Sequence, residues 1–206
     1  FEPARYRGRA GKSLQPLMDR SVRRARQRTS ARVFERIMML GPGGELRLRE
    51  DPPLLQHVDV EVETQLVESL REYLTTVSAD VALLLSHFRI TDIALRVVGV
   101  GSVGTRCYLA NLTGPDGTPL VLQIKEATKS VLEEYGGVEQ PPVMHDAIAA
   151  LGQGVRVVDG QLILQAMSYV FLCTGHGSQG RQGLLRAAVP RHEGHHRHRR
   201  DVAGRL

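Results

Sequence analysis

Between residues 60 and 88 apolar side chains return at spacings of three and four, at Leu66, Leu70, Leu74, Val77, Val81, Leu84 and Phe88, which predicts one amphipathic helix over 60–88. Asp59, Glu61 and Glu63 stand where a helix N-terminus favours negative charge. Upstream, Leu14, Leu17, Met18, Val22, Ala25, Val33, Ile37 and Leu40 form a less regular helical pattern among many arginines over 14–40, and Gly41-Pro42-Gly43-Gly44 ends it. A short strand over 45–49 and the breaker Asp51-Pro52-Pro53 separate the two helices.

Past residue 88 the period changes. Residues 90–98 and 105–112 read as strands on either side of a glycine-containing loop, Pro115-Asp116-Gly117 is a turn, and 120–124 is a third strand. A short helix starts near Ser130, another follows Pro141-Pro142, and 154–167 leans to helix. The expected fold class is α+β: two long N-terminal helices, a small antiparallel sheet with a glycine-rich hairpin, short helices and a disordered C-terminal tail. The expected division is a basic helical region and linker at 1–56, a partial glycine-loop domain at 57–175, and an Arg/His-rich tail at 176–206.

Composition changes this picture in two places. The longest apolar run, 81–85, is far short of the roughly 20 residues of a membrane span, so no membrane is expected. Cys107 and Cys173 are far apart and in no C-x-x-C pair, which fits reduced thiols in a cytoplasm. The chain starts at Phe1 with no apolar signal core behind it, and is read as a piece of a larger protein. Its net charge of +5 lies in the tail, where Arg181, Arg186, Arg191, Arg197, Arg199, Arg200 and Arg205 face only Glu193 and Asp201. Arg23, Arg24, Arg26 and Arg28 are either a solvated helix face or phosphate contacts.

Gly99, Gly101 and Gly104 match G-x-G-x-x-G, a pattern shared by two unrelated nucleotide-binding folds. A dinucleotide-binding fold opens a helix at the third glycine, and here a strand is expected instead. A kinase-like fold places the loop between antiparallel strands, with a lysine on the next strand and a helix glutamate to orient it. Lys125 and either Glu133 or Glu134 stand at those places. Glycines let backbone amides approach phosphate oxygens, and an ammonium offsets their charge. The plain alternative is a glycine-rich turn beside a strand-end lysine. Gly11-Lys12-Ser13 is no rival, since Tyr6 occupies the position where a Walker loop needs glycine.

The stretches HFRITDIALRVVGVGSVGTRCYLANLTG, PLVLQIKEATKSVLEEY and GVRVVDGQLILQAMSYVFL closely resemble the bacterial family known as domain of unknown function 2252. The likeness is expected over about residues 60–173, and more loosely over 14–55. The resemblance implies distant kinship with protein-kinase-like and aminoglycoside-phosphotransferase folds, and hence nucleotide binding at Gly99, Gly101, Ser102, Gly104 and Lys125, with Glu133 orienting the lysine. It also implies ATP with Mg²⁺ as cofactor. Two acidic segments that the family carries upstream of its glycine loop, G-D-x-H-x-x-N-F and D-F-D, do not occur here.

From Gly180 on, the family pattern is expected to stop. His192, His195, His196 and His198 lack a fold to fix a metal geometry, and a basic nucleic-acid arm is disfavoured. The leading expectation is a shifted reading frame: with suitable codons, 181–201 becomes a DFYVRQ-x-RDMKG-like family motif. Function is thus expected to be a nucleotide phosphate-binding lobe, not catalytically competent alone, whose partners are a nucleotide and the remainder of its fold. Whether the parent is an enzyme stays open. The alternatives are a basic interaction or nucleic-acid-binding module and a truncated product without function.

Overall fold

The computed structural model describes residues 14–17, 19–20, 30–99, 104–165, 169–175 and 182–188. The chain divides into two compact units, one made of 1–37 with 190–206 and the other of 38–189. In the first unit the longest described element is helix α1 (Ser30–Ile37); Arg23, Arg24, Arg26 and Arg28 and the histidine-rich end lie outside the described residues.

The second unit begins with a correction. Residues 38–40, expected to close the first helix, form strand β1 (Met38–Leu40), paired antiparallel with β2 (Leu46–Leu48). The Gly41 amide donates to the Glu45 carbonyl at 2.7 Å and closes the hairpin. Met38 and Leu48 are partners in that ladder and are 4% and 1% exposed, so shared burial outweighs the helical preference of the preceding residues.

Helix α2 (Val60–Thr76) starts where predicted, with Asp59 Oδ1 accepting from the Val62 amide at 2.9 Å. The long helix over 60–88 is not one helix, however. The hydroxyls of Thr75 and Thr76 donate to the carbonyls of Glu72 and Tyr73, and Val77 and Ser78 are extended before α3 (Ala79–Ser86) begins. The break resets the helical phase. Leu85 is 3% exposed and buried with Val81, whereas Leu84, on the predicted stripe, is 48% exposed.

Strands β3 (Leu55–His57), β4 (Arg89–Arg96), β5 (Cys107–Thr113), β6 (Pro119–Ala127), β7 (Cys173–Gly175) and β8 (Gln182–Ala188) form one sheet in the order β3-β4-β5-β6-β8-β7, every neighbouring pair antiparallel. Its register shifts between Ile90 and Asp92, a bulge that turns both Ile90 and Ile93 toward α2 and α3. Leu70, Tyr73, Val81 and Leu85 pack there on Ile93, Ala110, Leu122 and Ile124. The β1–β2 hairpin bonds to the opposite face: the Leu48 amide donates to Asp92 Oδ2 at 2.7 Å, and Asn111 Nδ2 donates to the Leu46 carbonyl at 3.0 Å.

Helices α4 (Val131–Glu134), α5 (Pro142–Leu151) and α6 (Gln153–Leu164) connect β6 to β7, at the three places where short helices are expected. Strand β8 falls inside the tail expected to be disordered. It pairs with β6 from Val121↔Ala188 to Ala127↔Gln182, and backbone pairing along an otherwise open edge supplies order that side-chain composition does not signal. Among the described residues no helix is long and apolar enough to cross a membrane.

Candidate functional site

Strand β4 ends at Arg96 and β5 starts at Cys107, so the glycine pattern occupies the connection between two antiparallel neighbours. Gly99 is exposed, with open space where a Cβ would stand, and Gly104 has φ +86°, a left-handed value that favours glycine. Gly101 and Ser102 lie outside the described residues.

Lys125 is half-buried on β6 directly opposite Cys107. Directly opposed residues of an antiparallel pair project from the same face, so Lys125 stands beside the first residue after the loop. This is the face turned away from the α2–α3 core. Leu95 opposes Tyr108 in the last pair of that ladder, and Arg96 and Cys107 are the next residues of the two strands. Gln123, two residues before Lys125 on the same face, donates from Nε2 to Cys107 Sγ at 3.1 Å. Among the described residues neither Lys125 nor Arg96 makes an ion pair. Sequence reasoning did not place Arg96, Cys107 and Gln123 near Lys125; the alternation of strand positions outward from the loop is the signal that would do so.

Glu133 sits on α4 and is not joined to Lys125. Its Oε2 accepts from Gln140 Nε2 at 3.2 Å and lies 4.0 Å from Arg156 Nε. Arg156 on α6 also donates to the Thr128 carbonyl at 2.9 Å. The carboxylate therefore ties α4 to α6, and Arg156 holds it there. At the far side of the same sheet face, Asp92 accepts from Leu48, and His57 Nε2 lies 3.2 Å from Asp92 Oδ1. Among the described residues no group of three or more His, Cys, Asp or Glu is arranged to hold a metal ion. A cavity of about 330 Å³ opens between α2, α3 and the sheet, lined by Val67, Leu74, Phe88, Ile90 and Leu112 among others. It lies on the opposite face and touches no residue of the glycine pattern.

Burial pushes the Cys107 thiol up; the Gln123 amide and the charges of Lys125 and Arg96 oppose this in part. A raised folded-state value favours the neutral thiol, so the contribution is complete below the unfolded value of about 8.5 and is lost as pH rises through the folded value. Urea unfolding at pH 7.5 and pH 10 checks this: wild type is expected to lose more stability between the two than Cys107→Ala. Parallel losses would show that the thiol does not contribute.

A family model described as "Uncharacterized protein conserved in bacteria (DUF2252)" matches residues 6–196. The match is longer than the resemblance expected from the motifs, continuing past residue 180 and reaching back through the basic N-terminal region. Comparison with curated proteins and comparison with solved structures each give no match.

Proposed function

The chain belongs to the DUF2252 family of uncharacterised bacterial proteins, and from that premise we propose that its six-stranded unit is a kinase-like lobe that binds the phosphates of a nucleotide. The observation that carries this reading is the register Cys107↔Lys125, with the lysine beside the first residue of the strand that follows the glycine pattern and, among the described residues, no carboxylate paired with it. A half-buried ammonium that makes no ion pair among the described residues is suited to an anionic ligand. Gly99 and Gly104 leave room for oxygens to reach backbone amides, and Lys125 neutralises their charge.

ATP carried with Mg²⁺ is the ligand that this arrangement and the family kinship favour. Kinase-like sites hold their metal through phosphate oxygens and acidic side chains, and the residues described here account for the phosphate contacts alone. Binding, not phosphoryl transfer, is the function assigned to them. In a kinase-like site a helix glutamate holds the lysine; here Glu133 serves Arg156 instead, so the lysine is left to the ligand.

The test is calorimetric titration of Mg²⁺-ATP into the whole chain. Lys125→Ala is expected to weaken binding at least about tenfold, the usual order for a charge-assisted phosphate contact. Lys125→Arg, which keeps the charge, is expected to retain most of it. Unchanged affinity in Lys125→Ala, or no ATP binding by the wild type, overturns the reading.

A further inference from the structure

The geometry points to Arg96 as a second phosphate-binding cation, making the site specific for a chain of two or three phosphates, as in a nucleoside di- or triphosphate, over a single phosphate. The inference rests on the phosphate-binding reading above and deepens it. Three strands carry it. Arg96 is the last residue of β4, Cys107 the first of β5, and Lys125 lies opposite Cys107 on β6. Leu95↔Tyr108 fixes the step that brings Arg96 alongside Cys107, so the three residues form one row across the sheet on one face.

Neighbouring strands are about 4.8 Å apart, which puts the backbones of Arg96 and Lys125 about 10 Å apart with the small Cys107 between them. Both cations are half-buried and, among the described residues, neither is neutralised by a carboxylate. Leu55, 5% exposed, pairs with Arg96 from β3 and closes the row on that side.

Two cations attached two strands apart engage different phosphoryl groups of one ligand. A guanidinium adds paired donors suited to phosphate oxygens, and a lysine supplies a compact charge. A monophosphate held by Lys125 gives Arg96 no second phosphoryl group to grip.

The experiment titrates ATP, ADP, AMP and inorganic tripolyphosphate into the whole wild-type chain and into Arg96→Gln and Arg96→Lys. Arg96→Gln is expected to weaken ATP, ADP and tripolyphosphate by at least about tenfold while changing AMP less than about twofold, and Arg96→Lys to restore most of the loss. Far-ultraviolet circular dichroism confirms that the variants are folded. Tripolyphosphate separates the two readings. Arg96-dependent tripolyphosphate binding without ATP binding would keep the two-cation row and discard the nucleotide. ATP binding that needs Lys125 but is indifferent to Arg96 would overturn the row and leave the simpler lobe standing. Binding of polyphosphate that neither variant alters would be attraction to basic surface elsewhere, and would also overturn it.

Discussion

Tyr73→Ala is expected to cost about 3–5 kcal/mol of stability, the usual range for emptying an aromatic core position, and to lower Tm by about 10 °C in a chain of this size. Tyr73 is 0% exposed and lies at the centre of the contact between α2 and the sheet. Its hydroxyl donates to the Phe171 carbonyl at 2.9 Å, linking α2 to the segment that leads into β7. Burial holds its hydroxyl far above the ordinary tyrosine value, so the neutral donor persists at any working pH.

Tyr73→Phe separates the two contributions. It keeps the ring and strands the Phe171 carbonyl, and is expected to cost about 1–2 kcal/mol. Nearby, Thr76 Oγ1 donates to the Thr174 carbonyl at 3.0 Å, a second tie between α2 and β7 that should limit the damage. Urea unfolding followed by circular dichroism reads both variants. If alanine cost no more than phenylalanine, the ring's packing would contribute nothing and the core placement of α2 would be wrong.

Asp92→Ala should cost about 2–4 kcal/mol, because it orphans a buried backbone donor as well as removing a side chain. Asp92 is 9% exposed and takes the Leu48 amide at 2.7 Å, while His57 Nε2 lies 3.2 Å from its other oxygen. One carboxylate thus joins the β1–β2 hairpin, β3 and β4. Asp92→Asn retains an oxygen for the Leu48 amide and is expected to cost less than half as much. Hydrogen exchange at Leu48 gives the sharper reading: protection lost in alanine and kept in asparagine supports the bond, and equal protection in both removes it. Because Asp92 shares a face with Arg96 and Lys125, hairpin loosening would also expose the flank of the proposed phosphate row.

Family membership was legible in motifs, although the motifs understated its reach: the expected core of 60–173 compares with a match over 6–196. The placement of the candidate residues in the fold was legible in part. Gly99 and Gly104 fall in the connection between two antiparallel strands and Lys125 on the strand after them, as expected, because a loop pattern and a lysine in an apolar run are local features. Glu133 or Glu134 was expected to orient Lys125 from its place near the next helix, and the partner of Glu133, Arg156, is 23 positions beyond it, on another helix. Only the tertiary fold brings that pair together.

What the sequence determined by itself is what neighbouring residues decide among themselves. Asp59 caps α2 through its own next turn, Ser130 caps α4 in the same way, and Asp116 accepts from the Thr118 amide at 3.0 Å to shape the turn between β5 and β6. The change of period past residue 88 and the Pro115-Asp116-Gly117 turn likewise named 105–112 and 120–124 as strands. Tertiary structure decided the rest, for a common reason: each outcome depended on a partner far along the chain. Residues 38–40 became a strand because Leu48 offered a buried mate, and Gln182–Ala188 did so along the edge of β6. The helix over 60–88 broke where Thr76 and Tyr73 could bond to the segment around β7. Arg96, Cys107 and Lys125 share a row because ladder register, fixed by contacts among three strands and reset by a bulge near Thr91, sets which side chains meet.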